Sequence, residues 1–390
     1  MSQMAQPVTD RTDGFSQRCT LGRAGGLRVA VKDCLDVAGL PTRCGSAAFA
    51  DAPVARKHAH AVAALLEAGC EITGKTVMHE LAYGMTGVNP YEGTPINPRW
   101  PALIPGGSSS GAAVAVASGA VDFAIGTDTG GSVRQPATCC GVIGLKPSFG
   151  RIDRAGARPA HSSLDCIGPL ARSMDMIEAA MRALDPGFIP ERLARAPNLA
   201  RVRTEFDRAL GDSLLFALQE QDYDLPYVNL PGMDAAYEAG LTLIGHEAHL
   251  AFGDLLAQGA PLGADVRARL VAAGRITQAQ VDQAEAVRAR FTAEVDAVLS
   301  GYDAIVTRAL PTHPPRLDEA EDPAKVLPLT RYLRPFNLSG HPAIVLPMAS
   351  AEGLPAGLQI IAPKGADARL CAIARWLCET VPALNERNET

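Results

Sequence analysis

No stretch of the 390 residues approaches the roughly 18 uninterrupted apolar residues that a membrane helix requires. The polar beginning of the chain, with Asp10, Arg11 and Asp13, lacks the apolar segment of a secretory signal. Together these predict a cytoplasmic protein that does not engage a membrane. Basic stripes are missing too. The formal net charge is -6, with Lys and Arg scattered among Asp and Glu, which argues against nucleic acid as a direct ligand. The nine cysteines form an odd set without a C-x-x-C pair, in a chain too large to need disulfides, so free thiols are expected. Several catalytic signatures are also absent. No Lys-Ser or Lys-Thr follows a glycine turn as a P-loop demands, and no Gly-x-Gly-x-x-Gly opens a helix after a strand. No Gly-x-Ser-x-Gly elbow exists, and none of the eight histidines sits in a recognisable triad context. His246-Glu247-Ala248-His249 spaces its histidines three apart where a zincin needs four, so it reads as helix surface and no metal is expected.

A hydrophobic content of 47% is ample for a substantial core. Residues 1–26 show no periodicity and read as an N-terminal arm or strap. From there an alternating α/β rhythm begins: a strand over Leu27–Lys32, a helix over Ala59–Ala68 ended by Gly69, and a strand over Glu71–Gly74. Ser109–Ser118 has serine caps and small residues suited to a closely packed helix, and Val121–Ile125 and Val142–Leu145 read as core strands. Helical spacing then dominates over Ser173–Leu184, Phe206–Gln221, Asp234–Leu256, Gly263–Ala273 and Thr277–Leu299, with Ala194–Ala200 as a linker. Strand signals return at Ala304–Thr307 and Pro342–Leu346, a hairpin runs through Gly353–Ile361, and a helix covers Ala366–Thr380. The reading is one α/β domain over 27–390, with the strand-rich ends sharing a sheet and a mainly helical insertion at about 173–302.

Two glycine-serine turns flank the Ser109–Ser118 helix: Pro105-Gly106-Gly107-Ser108-Ser109-Ser110-Gly111 and Gly126-Thr127-Asp128-Thr129-Gly130-Gly131-Ser132-Val133-Arg134. Ser132 is a candidate nucleophile, but serine needs a proton acceptor beside it and N–H donors aimed at the oxygen that turns negative. Lys32 is the candidate base because it ends the apolar run Val29-Ala30-Val31, and burial disfavours an ammonium. The plain alternative is that Lys32 tops its strand, facing water or pairing with Asp33. Thr129, Gly130, Gly131 and Ser132 either form an ordinary tight turn or present successive N–H groups as an anion nest. The Gly106–Gly111 loop by itself reads equally well as a plain turn.

Read together, these segments resemble the amidase signature family, serine hydrolases with a Ser-cis-Ser-Lys triad. The resemblance runs from about Leu27 to Cys378. It rests on both glycine-serine turns, Val29-Ala30-Val31-Lys32-Asp33, Gly74-Lys75-Thr76, Gly144-Leu145-Lys146-Pro147, Ser163-Leu164-Asp165, Gly168-Pro169-Leu170, Asn337-Leu338-Ser339-Gly340 and Gly357-Leu358-Gln359. It implies a large mixed β-sheet with helices on both faces. In the family the cis-serine is the first serine after the Gly-Gly pair, and its spacing to the nucleophile matches the 24 residues between Ser108 and Ser132. The resemblance thus implies catalytic Lys32, Ser108 and Ser132, a cis peptide at Gly107-Ser108, and an oxyanion hole from the N–H groups of Thr129, Gly130, Gly131 and Ser132. It implies loop support from Ser109, Asp128 and Arg134, and no cofactor. The family carries several helices ahead of its lysine, whereas 31 residues precede Lys32 here.

The implied chemistry is hydrolysis of a small carboxamide or ureido-type amide through an acyl-enzyme. The alternatives are the catalytic component of an amidotransferase, working on aminoacyl-tRNA with partner subunits, and a catalytically silent binding protein on the same scaffold. His79, Tyr83 and Met85 are candidates for the acyl side of the pocket. Arg158 and His161 lie on a loop that approaches the pocket in the resembling family and are candidates to contact a substrate carboxylate, the plain alternative being a solvated loop. A homodimer is left open. Cys139-Cys140 reads as packing, not redox chemistry.

Overall fold

The computed structural model describes residues 12–204, 218, 223 and 225–385. Eleven strands form one sheet in the order β1-β3-β2-β4-β6-β5-β10-β11-β9-β7-β8. They are β1 (Phe15–Gly22), β2 (Arg28–Lys32), β3 (Glu71–Thr76), β4 (Phe123–Asp128), β5 (Ile143–Lys146), β6 (Cys166–Ala171), β7 (Leu199–Val202), β8 (Tyr227–Val228), β9 (Ala304–Arg308), β10 (Ala343–Ala349) and β11 (Pro355–Ile361). The sheet is mixed: β2 runs parallel to β3 and β4, whereas β4/β6, β5/β6, β10/β5 and β10/β11 are antiparallel. The strand-rich ends of the chain therefore meet in one sheet through β5 and β10, in register Ile344↔Leu145.

Alternation along the central strands sorts side chains onto two covered faces. Ala30, Ala124, Leu170 and Val345 pack with α2 (Ser110–Ala117) and α3 (Arg134–Cys140). Val29, Val31, Phe123, Ile125, Ile344 and Leu346 pack on the other side with α1 (His60–Glu67), α4 (Met174–Leu184) and the helix Asp367–Thr380. Helix α2 reads Ser-Gly-Ala-Ala-Val-Ala-Val-Ala, and its first seven residues are all buried. Its small side chains let it lie close against β4, which draws its N-terminus, and with it Ser108 and Ser109, toward the sheet.

Several expectations need correction. The arm expected at 1–26 contributes, over Phe15–Gly22, an edge strand antiparallel to β3. Its pairing partner lies some fifty residues on, so no local pattern announces it. Strand β6, which is not among the expected strands, contains Gly168-Pro169 and pairs with β4 over all six of its residues, from Phe123↔Ala171 to Asp128↔Cys166. A Cβ at Gly168 would sit 2.0 Å from Leu145 O, so the glycine serves close strand approach. The linker expected at Ala194–Ala200 runs into β7, and the segment 173–302 carries β7 and β8 as well as helices. The helix expected at Phe206–Gln221 falls almost wholly outside the described residues. Met233–Phe252, Ala264–Ala273 and Gln278–Leu299 are helices close to their expected bounds.

Candidate active site

Strand β2 carries Val29, Ala30 and Val31 through the core and delivers Lys32, fully buried, at its end. Lys32 Nζ donates to Ser108 Oγ at 2.7 Å, to Thr127 Oγ1 at 2.8 Å and to Thr127 O at 3.4 Å. Burial is the main influence on this amine and lowers its pKa from the ordinary lysine value, while Cys34, Asp165 and Asp128 act the other way. Asp33 does not pair with Lys32. Its carboxylate meets Lys75 Nζ at 2.6 Å, and Lys75 also donates to Pro41 O and Thr42 Oγ1, both at 2.9 Å. Lys75 is thus a paired structural ammonium, and Lys32 is left facing hydroxyls.

The Gly107-Ser108 peptide is cis. Gly107 N–H donates to Gln135 Oε1 at 2.7 Å, and Ser108 O accepts from His79 N–H at 3.0 Å. Gly106 has φ +77, and a Cβ there would lie 2.7 Å from Pro136 Cα, so only glycine permits this approach of the loop to α3. Ser132 stands in the following turn, between β4 and α3, and is partly exposed. Its carbonyl accepts from Ser109 N–H at 3.2 Å, and its hydroxyl makes no hydrogen bond among the described residues.

A buried ion pair shapes that turn. Arg134 Nη2 meets Asp128 Oδ1 at 2.9 Å with both side chains fully buried, and Arg134 Nε reaches Asp128 Oδ2 at 3.0 Å. The rest of the guanidinium is spent on Asn337 Oδ1 and Gln359 Oε1, both at 2.6 Å, and on Leu333 O at 3.0 Å. Asp128 also accepts from the N–H groups of Gly131 at 2.8 Å, Val133 at 3.1 Å and Arg134 at 3.2 Å. Burial pushes its carboxyl up, but Arg134 and the Asn337 hydrogen bond outweigh that and hold it far below the usual range. Ser109 Oγ donates to Thr127 O at 3.3 Å. Of the four N–H groups expected to face an oxyanion, Gly131 is engaged by Asp128. Those of Thr129, Gly130 and Ser132 meet no acceptor among the described residues. Sequence reasoning missed Thr127, Gln135 and Gln359, whose roles depend on distant partners.

His79 is buried, with Nε2 3.0 Å from Asp265 Oδ2 and Nδ1 3.3 Å from Thr86 Oγ1. Burial raises the Asp265 carboxyl, but the His79 hydrogen bond and charge prevail and lower it to about 2. Met85 is buried beside Gly107, where a Cβ would stand 3.1 Å from its carbonyl carbon. Tyr83 is half-buried, and its carbonyl accepts from Arg269 Nη1 at 3.1 Å. Arg158 and His161 line a cavity of about 730 Å³ together with Phe49, Ser162, Glu247 and Phe252, and Arg158 N–H donates to Cys34 O at 2.8 Å. No member of the Lys32, Ser108 and Ser132 group lines that cavity, and the Arg158 guanidinium lies 5.8 Å from the Phe49 ring centroid. Glu247 is occupied by Ser162 Oγ at 2.7 Å and Ser163 N–H at 2.9 Å.

A family model described as Amidase matches residues 10–189 and 252–371. The chain is 33% identical to a component of the glutamyl-tRNA(Gln) amidotransferase of Halobacterium salinarum, over 90% of this chain and 95% of that protein. It is 30% identical to Amidase 1 of Oryza sativa subsp. japonica, over 91% of each. A solved amidase structure superposes with a TM-score of 0.83 at 34% identity, covering 91% of this chain and 84% of the other. Similarity of this extent and identity means that the chain belongs to the amidase family and is an amide-hydrolysing enzyme.

Proposed function

We propose that the protein is a serine amidohydrolase that cleaves a small carboxamide or ureido-type amide through an acyl-enzyme on Ser132. The observation that carries this reading is the 2.7 Å contact between Lys32 Nζ and Ser108 Oγ, made by a buried lysine with no carboxylate partner among the described residues. Neutral Lys32 takes the Ser108 proton as Ser108 takes that of Ser132, whose Oγ attacks the amide carbon. The carbonyl oxygen becomes negative opposite the N–H groups of Thr129, Gly130 and Ser132. The C–N bond then breaks, and the proton returns through Ser108 to the departing nitrogen, which leaves as ammonia or an amine. Water repeats the sequence on the Ser132 ester and releases the carboxylic acid.

A second reading has a specific ground: 33% identity to a glutamyl-tRNA(Gln) amidotransferase component over nearly its whole length. In that reading Ser132 would act on an amide donor with partner subunits and a charged tRNA. Purifying the chain alone and measuring ammonia release from aliphatic, aromatic, dicarboxylic and ureido amides separates the two. Turnover by the isolated chain supports the amidohydrolase. Activity only with partner subunits and aminoacyl-tRNA supports the amidotransferase.

A further inference from the structure

Two arginines are buried near the Ser132 turn, and they are treated very differently. Arg134 spends its guanidinium on Asp128, Asn337, Gln359 and Leu333 O. Arg334 is only 4% exposed, yet it has no ion pair, and its Nε and Nη1 are buried without an acceptor among the described residues. A guanidinium cannot shed its proton to escape this situation. The partner of Arg334 is the Tyr237 side chain, which supplies a hydrogen bond but no counter-ion, and a buried charge without a counter-ion is costly, so an anion from outside would stabilise it.

The position of Arg334 says where that anion would sit. Its side chain passes between the helix Met233–Phe252 and the Ser132 turn, with Cζ 4.6 Å from the Tyr237 ring centroid. Glycines on both sides make the room. A Cβ at Gly240 would stand 2.8 Å from Arg334 Cγ and Cδ, and a Cβ at Gly130 would stand 3.1 Å from Nε. Ile244 Cδ1 closes in on the same Gly130 position at 3.0 Å. Gly130 is two residues before Ser132 and carries one of the N–H groups left unclaimed. Among the described residues, the carboxylate that bears on Arg334 is Glu238, which is exposed and makes no ion pair with it. Arg269, on the helix Ala264–Ala273, adds positive charge nearby.

We propose that Arg334 is the substrate-anion recognition residue of this site, and that the enzyme selects short amides carrying a carboxylate whose charge docks on this guanidinium while the amide carbonyl lies at the Ser132 turn. This rests on the amidohydrolase reading and narrows its substrate class. Arg158, the sequence candidate for a substrate carboxylate, lines the cavity that also holds Phe49.

The test compares succinamate with n-butyramide, which differ by the carboxylate, and follows thermal unfolding with and without succinate. The wild-type chain is expected to favour succinamate. Arg334→Met should shrink the ratio of the two kcat/KM values by on the order of 100-fold, mainly through the KM for succinamate. Arg334→Lys should retain part of the preference, and succinate should raise the unfolding temperature of wild type more than that of Arg334→Met. Amide turnover with no preference in wild type and no stabilisation by succinate overturns the inference, whether or not the variants fold, and leaves the amidohydrolase reading standing. Stabilisation by succinate that Arg334→Met loses, without turnover of any amide, supports the inference while the amidohydrolase reading falls.

Discussion

Asp33 Oδ1 lies 2.6 Å from Lys75 Nζ, although the sequence neighbour of Asp33 is Lys32. Successive residues at the end of a strand diverge, so the carboxylate and the Lys32 amine leave in different directions. Asp33 neutralises the lysine of the adjacent strand β3. Lys32 is left with the hydroxyls of Ser108 and Thr127 as its side-chain partners, a setting that suits the base proposed for it.

Catalysis should therefore depend on pH in one direction. Burial lowers the pKa of Lys32, and in the proposed mechanism the neutral amine is the working form. Acidification through that lowered pKa must remove activity, giving an acidic limb in the kcat/KM profile for whichever amide of the panel is turned over. Lys32→Arg, which stays protonated, should lose activity by on the order of 10² to 10⁴-fold. A flat acidic side in wild type, or a Lys32→Arg variant of ordinary activity, would contradict the assignment.

The paired lysine should behave in the opposite way, as a matter of stability. Asp33→Asn leaves the fully buried Lys75 ammonium without its carboxylate, a change that costs about 3–5 kcal/mol when one partner of a buried pair is removed. Replacing both residues, as Asp33→Asn with Lys75→Met, should recover part of that loss. Urea unfolding measures both variants, and equal stability of wild type and Asp33→Asn would refute the role given to the pair.

Asp128 and Arg134 hold the Ser132 turn, so their loss should disturb stability and catalysis together. Asp128→Asn is expected to cost about 3–5 kcal/mol and to release the N–H groups of Gly131, Val133 and Arg134 from a charged acceptor. The folded pKa of Asp128 is depressed. Its contribution is thus fully present above the unfolded value of about 4 and is lost only as pH falls through the folded one. Wild type should therefore lose more stability than Asp128→Asn on acidification below about pH 4, read from unfolding midpoints. Parallel losses in the two proteins would count against the ion pair.

Gly106→Ala tests the loop that aims Ser108. The residue has φ +77, and its new methyl would meet Pro136 Cα at 2.7 Å, a backbone atom that cannot swing aside. Overpacking of this kind costs about 1–3 kcal/mol, and the neighbouring Gly107-Ser108 linkage should shift with it. The expected result is a lower unfolding temperature and weaker ammonia release. A variant with both unchanged would show that the loop has more freedom than its contacts indicate.

Much of this site is legible in the chain because its signals are local. Val29-Ala30-Val31 shows where Lys32 is buried, and the glycines around Ser108 and Ser132 mark where the backbone is bare. Features fixed by distant partners leave no such mark. Helix α3 begins at Arg134 with Pro136 in its first turn, and no local pattern announces it, since it is buried throughout and packs on β5, β10 and β11. Thr127 reads as a turn residue until β4 brings it to Lys32. Gly131 looks as available as Gly130 until the Asp128 carboxylate is seen to claim its N–H. Arg334 belongs to an Arg-Pro-Phe-Asn stretch with no distinctive pattern, and only the surrounding packing reveals a buried guanidinium without an ion pair.

The relay itself is tested most directly by labelling with a fluorophosphonate, which reacts with an activated serine and requires no knowledge of the substrate. Peptide mapping by mass spectrometry should find the adduct on Ser132 in wild type, none in Ser132→Ala, and labelling slowed by about 100-fold or more in Lys32→Ala and Ser108→Ala. An adduct on another serine, or undiminished labelling of Ser132 once Lys32 or Ser108 is removed, would contradict the account.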